Sequence, residues 1–425
     1  MTQTCNKLQE LAFIAYQCYE RKFLSLNHIR GLIRKDQAMS INNLRQKFLE
    51  NFGGDDSELR IFYAPGRVNL IGEHTDYNGG HVFPCALNFG TYGVARKRND
   101  NTIHLISGNI NLPVMVKTDD LKNDPVHDWG NYPKGVVAEI IKLGHTIGGF
   151  DFYIWGDIPN GSGLSSSASI ELLTAVTLNG LFDLNLSMKE MVLLCQRAEN
   201  QFVGVNCGIM DQYAVGMGKK DHAIMIDCLN LQHEYVPFDL GSYKMVITNT
   251  NKKHALVDSK YHERQSECNE ALRILQQECD IEYLCNLDPE TFRDHVELIK
   301  DPIIRNRATH VVQENARVFA AVSALNGGDL GLFGELMNNS HISLRDLYSV
   351  TGNELDVLAE SAWKLESVLG SRMTGAGFGG CTVSIVAADA VEHFMEFVGN
   401  EYSTQTGLTA EFYVAETGIG AGEVM

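Results

Sequence analysis

No stretch of this 425-residue chain approaches the ~18 consecutive apolar residues of a membrane helix, and its first residues lack the charged stub, apolar core and small-residue cleavage site of a secretory signal. A membrane-bound or secreted protein is therefore not expected, and the cytoplasm is the expected compartment. Basic charge is scarce. The 35 Lys and Arg stand against 53 Asp and Glu, a formal net charge of −18. That balance disfavours a nucleic-acid partner, and it requires any anionic substrate to be met by positive potential arranged locally. The ten cysteines include no Cys-x-x-Cys pair, and several lie in apolar runs such as Met191 to Cys195; they read as free structural thiols. His-Glu-x-x-His, EF-hand and zinc-ribbon spacings are missing too. A protein-caged metal is not expected, whereas a metal brought by a phosphate ligand is compatible with the sequence.

What is present describes a globular chain, 44% hydrophobic and long enough for two or three domains, with no repeat and no low-complexity tract. Residues 1–38 carry six Lys or Arg and three Asp or Glu, unlike the acidic remainder, which holds −21. They read as an N-terminal extension, dispensable for the fold. Ile41, Leu44, Phe48 and Leu49 then have helical spacing, and Gly53-Gly54 supplies a stop. Short strands are expected at Ile61 to Tyr63, Gly90 to Ala95, Ile103 to Ser107, Val114 to Lys117 and Phe150 to Trp155, with a helix from Tyr132 to Leu143. Beyond residue 240 come a strand at Lys244 to Thr248, a long helical region over 259–345 and a helix from Glu354 to Leu369. A glycine run, the strand Cys381 to Ala387, a helix to about Asn400 and the strand Ala410 to Val414 close the chain. Two α+β lobes, 39–240 and 241–425, are the expected organisation.

Four segments carry chemistry. Gly161-Ser-Gly163-Leu-Ser165-Ser166-Ser167-Ala-Ser169 follows an apolar strand and opens the helical run Ile170 to Phe182. Glycines let backbone N–H groups approach oxygen, and a helix start adds roughly half a positive charge, so this is an anion site; a simple Gly/Ser turn capping a buried helix is the alternative. It is no Walker loop, because Gly-x-x-x-x-Gly-Lys-Ser/Thr does not occur. A second run, Gly375-Ala-Gly377-Phe-Gly-Gly380, matches Gly-x-Gly-x-x-Gly, but a β-branched run follows it and a helix is expected before it. The dinucleotide reading therefore fails, and a tight loop against another backbone is favoured. Between them stand Glu199 and Cys207-Gly208-Ile-Met-Asp211-Gln212. Taken singly, Asp211 is a helix cap and Glu199 a solvated charge. The fourth segment, Gly66-Arg67-Val-Asn-Leu-Ile-Gly-Glu73-His74-Thr75-Asp76-Tyr-Asn-Gly-Gly80, packs ionisable and amide groups among glycines as a shaped loop would.

Together with Trp129-Gly-Asn-Tyr-Pro-Lys-Gly135 and Ser371 to Gly380, these segments resemble the GHMP small-molecule kinases from about residue 40 onward. The Gly66 to Gly80 segment resembles the galactokinase branch in particular. The resemblance implies a two-lobed α+β GHMP kinase fold, with a ribosomal-protein-S5-domain-2-like N-terminal lobe and a ferredoxin-like C-terminal lobe. It implies ATP-dependent phosphorylation of the anomeric hydroxyl of galactose, with ATP and Mg²⁺ as cofactors and no partner beyond its small-molecule substrates, the chain acting as a monomer. Carried over residue by residue, Asp211 would face the anomeric hydroxyl, with Arg67 as its partner stabilising charge on the transferring group. Glu73, His74, Thr75, Asp76, Gly208 and Tyr261 would bind the sugar through charge-assisted hydrogen bonds. Gly161, Ser162, Gly163, Leu164, Ser165, Ser166 and Ser167 would hold the phosphates, Trp129 and Ser107 the adenine side, and Ser167 with Glu199 the Mg²⁺. Two positions depart from the family pattern: Ser162 replaces Gly or Ala, and Asn200 stands where His is common. A sibling kinase for N-acetylgalactosamine and a non-catalytic galactose- and ATP-binding regulator are the competing readings.

Overall fold

A computed structural model of the chain describes residues 39–159, 162–252 and 257–424; the expectations for residues 1–38 and for Gly161 lie outside them. The first helix, Ile41–Phe52, begins at Ser40, whose hydroxyl accepts the Asn43 N–H, and ends at Gly53. Thirteen strands follow among the described residues: β1 Arg60–Asn69, β2 His81–Val82, β3 Pro84–Lys97, β4 Thr102–Ser107, β5 Val114–Lys117, β6 Phe150–Gly156, β7 His222–Asp227, β8 His233–Pro237, β9 Tyr243–Asn249, β10 Val368–Thr374, β11 Cys381–Ala387, β12 Glu411–Ala415 and β13 Gly422–Glu423. They form a six-stranded sheet (β13-β1-β3-β6-β4-β5), a four-stranded sheet (β10-β11-β9-β12) and a small third sheet (β2-β7-β8). All pairs in the first sheet are antiparallel except β4 with β6.

Alternation along the strands explains the layers. Ile61, Val94 and Tyr153 point to the Ile41–Phe52 helix and bury Leu44 and Phe48, whereas Phe62, Phe152 and Ile154 point the other way into the main core. That core is centred on the helix Ser166–Phe182, which is apolar all round and buried from Ala168 to Leu181 except for the half-buried Ile170 and the Asn179-Gly180 corner. The second sheet carries the helices Val257–Leu275, Pro302–Asn326, Leu330–Ser343, Asn353–Trp363 and Val391–Thr406. Its order, with the chain running β9, helices, β10, β11, helix, β12, is the antiparallel split βαβ arrangement of a ferredoxin-like lobe. An apolar seam joins the two sheets, with Val68, Leu70, Ile71 and Leu164 packed among Met245, Ile247, Val383 and Ile385. Every described cysteine is a free thiol, as expected.

Several expectations are corrected. The strand at Ile61 continues to Asn69, so the first half of the shaped loop is strand. The helix expected to run to Leu369 stops at Trp363, and Val368–Thr374 is a strand, so a strand and not a helix precedes the glycine run. The cause is tertiary. Gly370 lies directly against Gly334, where a Cβ would meet the Gly334 carbonyl at 2.3 Å, which lets the Leu330–Ser343 helix rest on this strand. The glycine run is thus the turn of the β10–β11 hairpin, and no helix follows it. The long helical region breaks between residues 276 and 301 into turns and short helices, and the β7–β8 hairpin was not foreseen.

Candidate active site

Two local bends place the site. Strand β1 pairs with β3 up to Pro65, opposite Gly90, and resumes at Arg67, opposite Ala86. The bulge re-aims Arg67 out of the regular pleat. The second bend is left-handed: Gly163 (φ +70°) and Ser165 (φ +62°) turn the chain sharply into the helix that begins at Ser166, four residues before the expected start. Arg67 bridges the two bends. Its Nε and Nη2 donate to the two oxygens of Asp211, each at 2.8 Å, and its Nη1 donates to the Gly163 carbonyl at 2.7 Å. Such a two-pronged guanidinium–carboxylate pair fixes direction as well as charge. The Ser165 hydroxyl also donates to Asp211, at 2.5 Å. Asp211 lies in the first turn of the helix Met210–Met217 but faces this cluster instead of capping its own helix.

These groups open onto a cavity of ≈ 340 Å³. It is lined by Arg67, Glu73, His74, Asp76, Gly163, Ser165, Ser166, Ser167, Glu199, Gly208, Asp211 and Tyr261, twelve of the residues singled out from the sequence. Gly208 has to be glycine, since a Cβ there would stand 1.7 Å from Asp76 Oδ2. His74 is held at φ +64° with its Nδ1 2.8 Å from the Tyr77 hydroxyl, and its ring lies against Tyr348 and Tyr261. Burial and neighbouring His310 lower its pKa to about 3, so the imidazole is neutral at physiological pH. Burial, with the nearby Asp211 charge, raises Asp76 to about 6. Burial raises Glu73 to about 7 despite the pull of Arg372 and the Gly375 N–H.

Beyond Ser166 and Ser167 a second cavity, ≈ 170 Å³, is lined by Ser107, Asn109, Trp129, Tyr132, Ile154 and Ile158 among others. Trp129 is fixed there by its indole N–H to the Leu112 carbonyl (3.0 Å), and the Ser107 hydroxyl accepts the Asn109 and Ile110 N–H groups. Ser166 and Ser167 therefore stand at the junction of the two cavities. Glu199 is buried, with its pKa raised by burial and by Asp211, while Ser167 donates to it. Gly375 lies 3.5 Å, measured from its Cβ position, from the Gly163 carbonyl, so the glycine run does pack beside the phosphate loop as expected.

Three expected contacts are not brought to either cavity. The Thr75 side chain is buried, and its hydroxyl sits at 2.9 Å and 2.7 Å from the Gly72 and His81 carbonyls, so it braces the turn that carries His74. The Leu164 side chain fills the apolar seam, leaving only its backbone for a ligand. Ser162, the departure from the family pattern, is buried with its hydroxyl donating to the Pro159 carbonyl at 2.7 Å. Other residues went unnoticed. Gln212 Nε2 donates to Glu199 (2.6 Å) and to Glu171 (3.1 Å), a buried acid whose pKa burial pushes well up. Arg372, fully buried, supports Glu73 from the other lobe. Gln212 and Arg372 both lie inside quoted motifs, but only the three-dimensional pairing reveals what they touch.

Known proteins share these segments and this fold. The galactokinase galactose-binding signature matches residues 46–97, and the N-terminal and C-terminal GHMP kinase domains match 131–219 and 321–402. The galactokinase of Clostridium tetani is 52% identical over 394 residues, covering 92% of this chain and 100% of that protein. That of Fusobacterium nucleatum is 54% identical over 388 residues, covering 90% and 100%. The structure of Lactococcus lactis galactokinase complexed with galactose superposes with a TM-score of 0.88 at 47% identity, covering 90% of this chain and all of that one. A mevalonate kinase structure shares the fold at 19% identity, with a TM-score of 0.61. At half identity over nine-tenths of its length, with the sugar signature and both kinase domains in order, the chain belongs to the galactokinase family of the GHMP kinases.

Proposed function

We propose that this chain transfers the γ-phosphoryl group of ATP to the anomeric hydroxyl of α-D-galactose, giving α-D-galactose 1-phosphate and ADP. The observation that carries the reading is the Arg67–Asp211 pair, held at the start of the Ser166–Phe182 helix and open to a cavity walled by the sugar signature. Galactose occupies that cavity, where Glu73, His74, Asp76 and Tyr261 meet its hydroxyls, and the nucleotide occupies the cavity at Trp129 and Ser107. Ser165, Ser166 and Ser167 and the helix N-terminus receive the phosphates between them. Asp211 takes the proton of the anomeric hydroxyl as the new O–P bond forms and the bond to ADP breaks. Arg67 stabilises negative charge on the group in flight. Positive potential is thus supplied locally, as an acidic chain requires.

Ser167 and Glu199 are the residues that would hold Mg²⁺. The test of fit is their donor chemistry: a buried carboxylate and an adjoining hydroxyl, both hard oxygens, lie beside the phosphate turn. Among the described residues no cluster of three or more His, Cys, Asp or Glu could cage a metal, so phosphate oxygens and water complete the set. Bound there, the ion would offset negative charge on the phosphates. We further take the chain to act as a cytoplasmic monomer whose lobes are 39–240 and 241–425. Galactose-dependent ADP release tests the reading. Asp211→Ala is expected to stay folded and to lose at least about a thousandfold in kcat. Wild-type protein that binds Mg-ATP and galactose but releases no ADP would overturn it, and faster turnover of N-acetylgalactosamine would replace the substrate.

A further inference from the structure

Asn200 follows the buried Glu199 on the wide helical turn Ala198–Val203. Its side-chain amide grips one residue, Cys207, by both backbone groups. The Cys207 N–H donates to Oδ1 at 2.8 Å, and Nδ2 donates to the Cys207 carbonyl at 3.3 Å. The thiol proton has two acceptors in reach, Asn200 Oδ1 at 3.3 Å and Glu199 Oε2 at 3.4 Å, and Gln196 adds a 3.4 Å bond to the same carbonyl. The next residue is Gly208, which the Asp76 carboxylate approaches so closely that no side chain fits between them. Three residues further on stands Asp211. A small displacement of Cys207 must therefore move Gly208 against Asp76, in a wall of the larger cavity.

We infer that Asn200 is a positioning residue for the sugar: it touches no substrate, but its clip on Cys207 sets the Gly208–Asp76 wall and so the affinity for galactose. The inference rests on the reading of that cavity as the galactose site. The molecule supplies its own control. Asn179 makes the same two-bond clip on Leu186, with the Leu186 N–H to Oδ1 at 2.9 Å and Nδ2 to the Leu186 carbonyl at 3.1 Å. It is also partly buried, but it sits at the far end of the Ser166–Phe182 helix, away from both cavities. Losing an amide clip costs stability at both places, whereas only one of them should disturb the sugar.

The test compares Asn200→Ala and Asn179→Ala in the full chain, reading galactose binding by calorimetry without nucleotide, KM for each substrate, kcat and melting temperature. Asn200→Ala is expected to weaken galactose binding about tenfold and raise its KM alike, with KM for ATP within about twofold. Asn179→Ala is expected to lower the melting temperature by a similar amount and leave both KM values within about twofold. Unchanged galactose affinity in Asn200→Ala would overturn the inference. So would an equal rise in KM for ATP, which would mean that Asn200 acts through Glu199, and so would a galactose defect of the same size in Asn179→Ala. Galactose binding is read without turnover, so a wild type that binds the sugar yet releases no ADP defeats the proposed reaction while leaving this inference standing.

Discussion

At the scale of single residues, Glu73 shows how one carboxylate serves two ends. The sequence marked it only as a sugar acceptor. In the structure it lines the cavity and also accepts from Asn69, from Arg372 at 3.4 Å and from the Gly375 N–H at 2.7 Å, so it ties the sugar signature to the glycine turn of the other lobe. Burial outweighs these donors and raises its pKa from 4.5 to about 7. Below pH 4.5 the group is protonated whether the chain is folded or not. Between 4.5 and 7 the unfolded chain has released the proton and the folded one still holds it, so folding grows less favourable as pH rises; above 7 the loss levels off. The shift corresponds to about 3 kcal/mol. Urea unfolding of wild type and Glu73→Gln should therefore show a difference that moves by about that amount against the wild type between pH 5 and 8. A difference flat in pH would mean that Glu73 is not the group responsible; Asp76, raised by burial and Asp211 to about 6, is present in both proteins and cancels.

At the scale of elements, the helix Ser166–Phe182 is the anchor of the phosphate turn, and it was the most legible part of the chain. A Gly/Ser run followed by Ile170, Leu172, Leu173, Ala175 and Val176 reads as a capped buried helix because each signal is local. Leu172 is fully buried in the main core, far enough along the helix that its truncation leaves the Ser165–Ser167 end supported by Ser169, whose hydroxyl donates to the Ala64 carbonyl at 2.9 Å. Leu172→Ala is expected to cost about 3 kcal/mol of stability in denaturant titration, with both KM values within about twofold. A large rise in KM for ATP at preserved stability would show that the helix is less rigid than its packing implies. The hairpin β10–β11 was misread for the opposite reason. Nothing within Val368–Thr374 itself makes it a strand; its pairing with β11 across the glycine turn and the contact of Gly370 with Gly334, which is distant in sequence, do. The same holds in the site. The motif gave Thr75 and Leu164 as ligand contacts because they share a segment with true lining residues, but side-chain direction depends on the β1 bulge and on the left-handed turn at Ser165, which spacing does not encode.

At the scale of the whole molecule, we expect the two ends of the chain to bear unequally on the fold. The described packing begins at the Ser40-capped helix, whose Leu44 and Phe48 are fully buried against the first sheet, and relatives 52–54% identical cover 90–92% of this chain with essentially their whole length. The opposite end is woven in. Strand β13 pairs with β1, the Val424 N–H donates to the Ile61 carbonyl, and Gly420 and Ala421 donate to Gly218 and Val215 near the end of the Asp211 helix. Glu423 meets Arg60 through two of the three guanidinium nitrogens, Nε at 2.7 Å and Nη2 at 2.5 Å. A chain starting at Met39 is accordingly expected to keep its melting temperature within about 2 °C and its kcat within about twofold. Removal of residues 418–425 deletes four backbone hydrogen bonds outside the strand ladder, donated by Gly418, Gly420, Ala421 and Val424, together with an edge strand and a bidentate ion pair, for a loss of about 3 kcal/mol or more. Because Val215 and Gly218 follow Asp211 on or just past its own helix, that second truncation should also lower kcat, which a purely peripheral strand would leave alone. Equal effects of the two truncations on unfolding free energy and on kcat would refute the asymmetry, since they would require the first 38 residues to contribute as much to the catalytic lobe as the strand that closes its sheet.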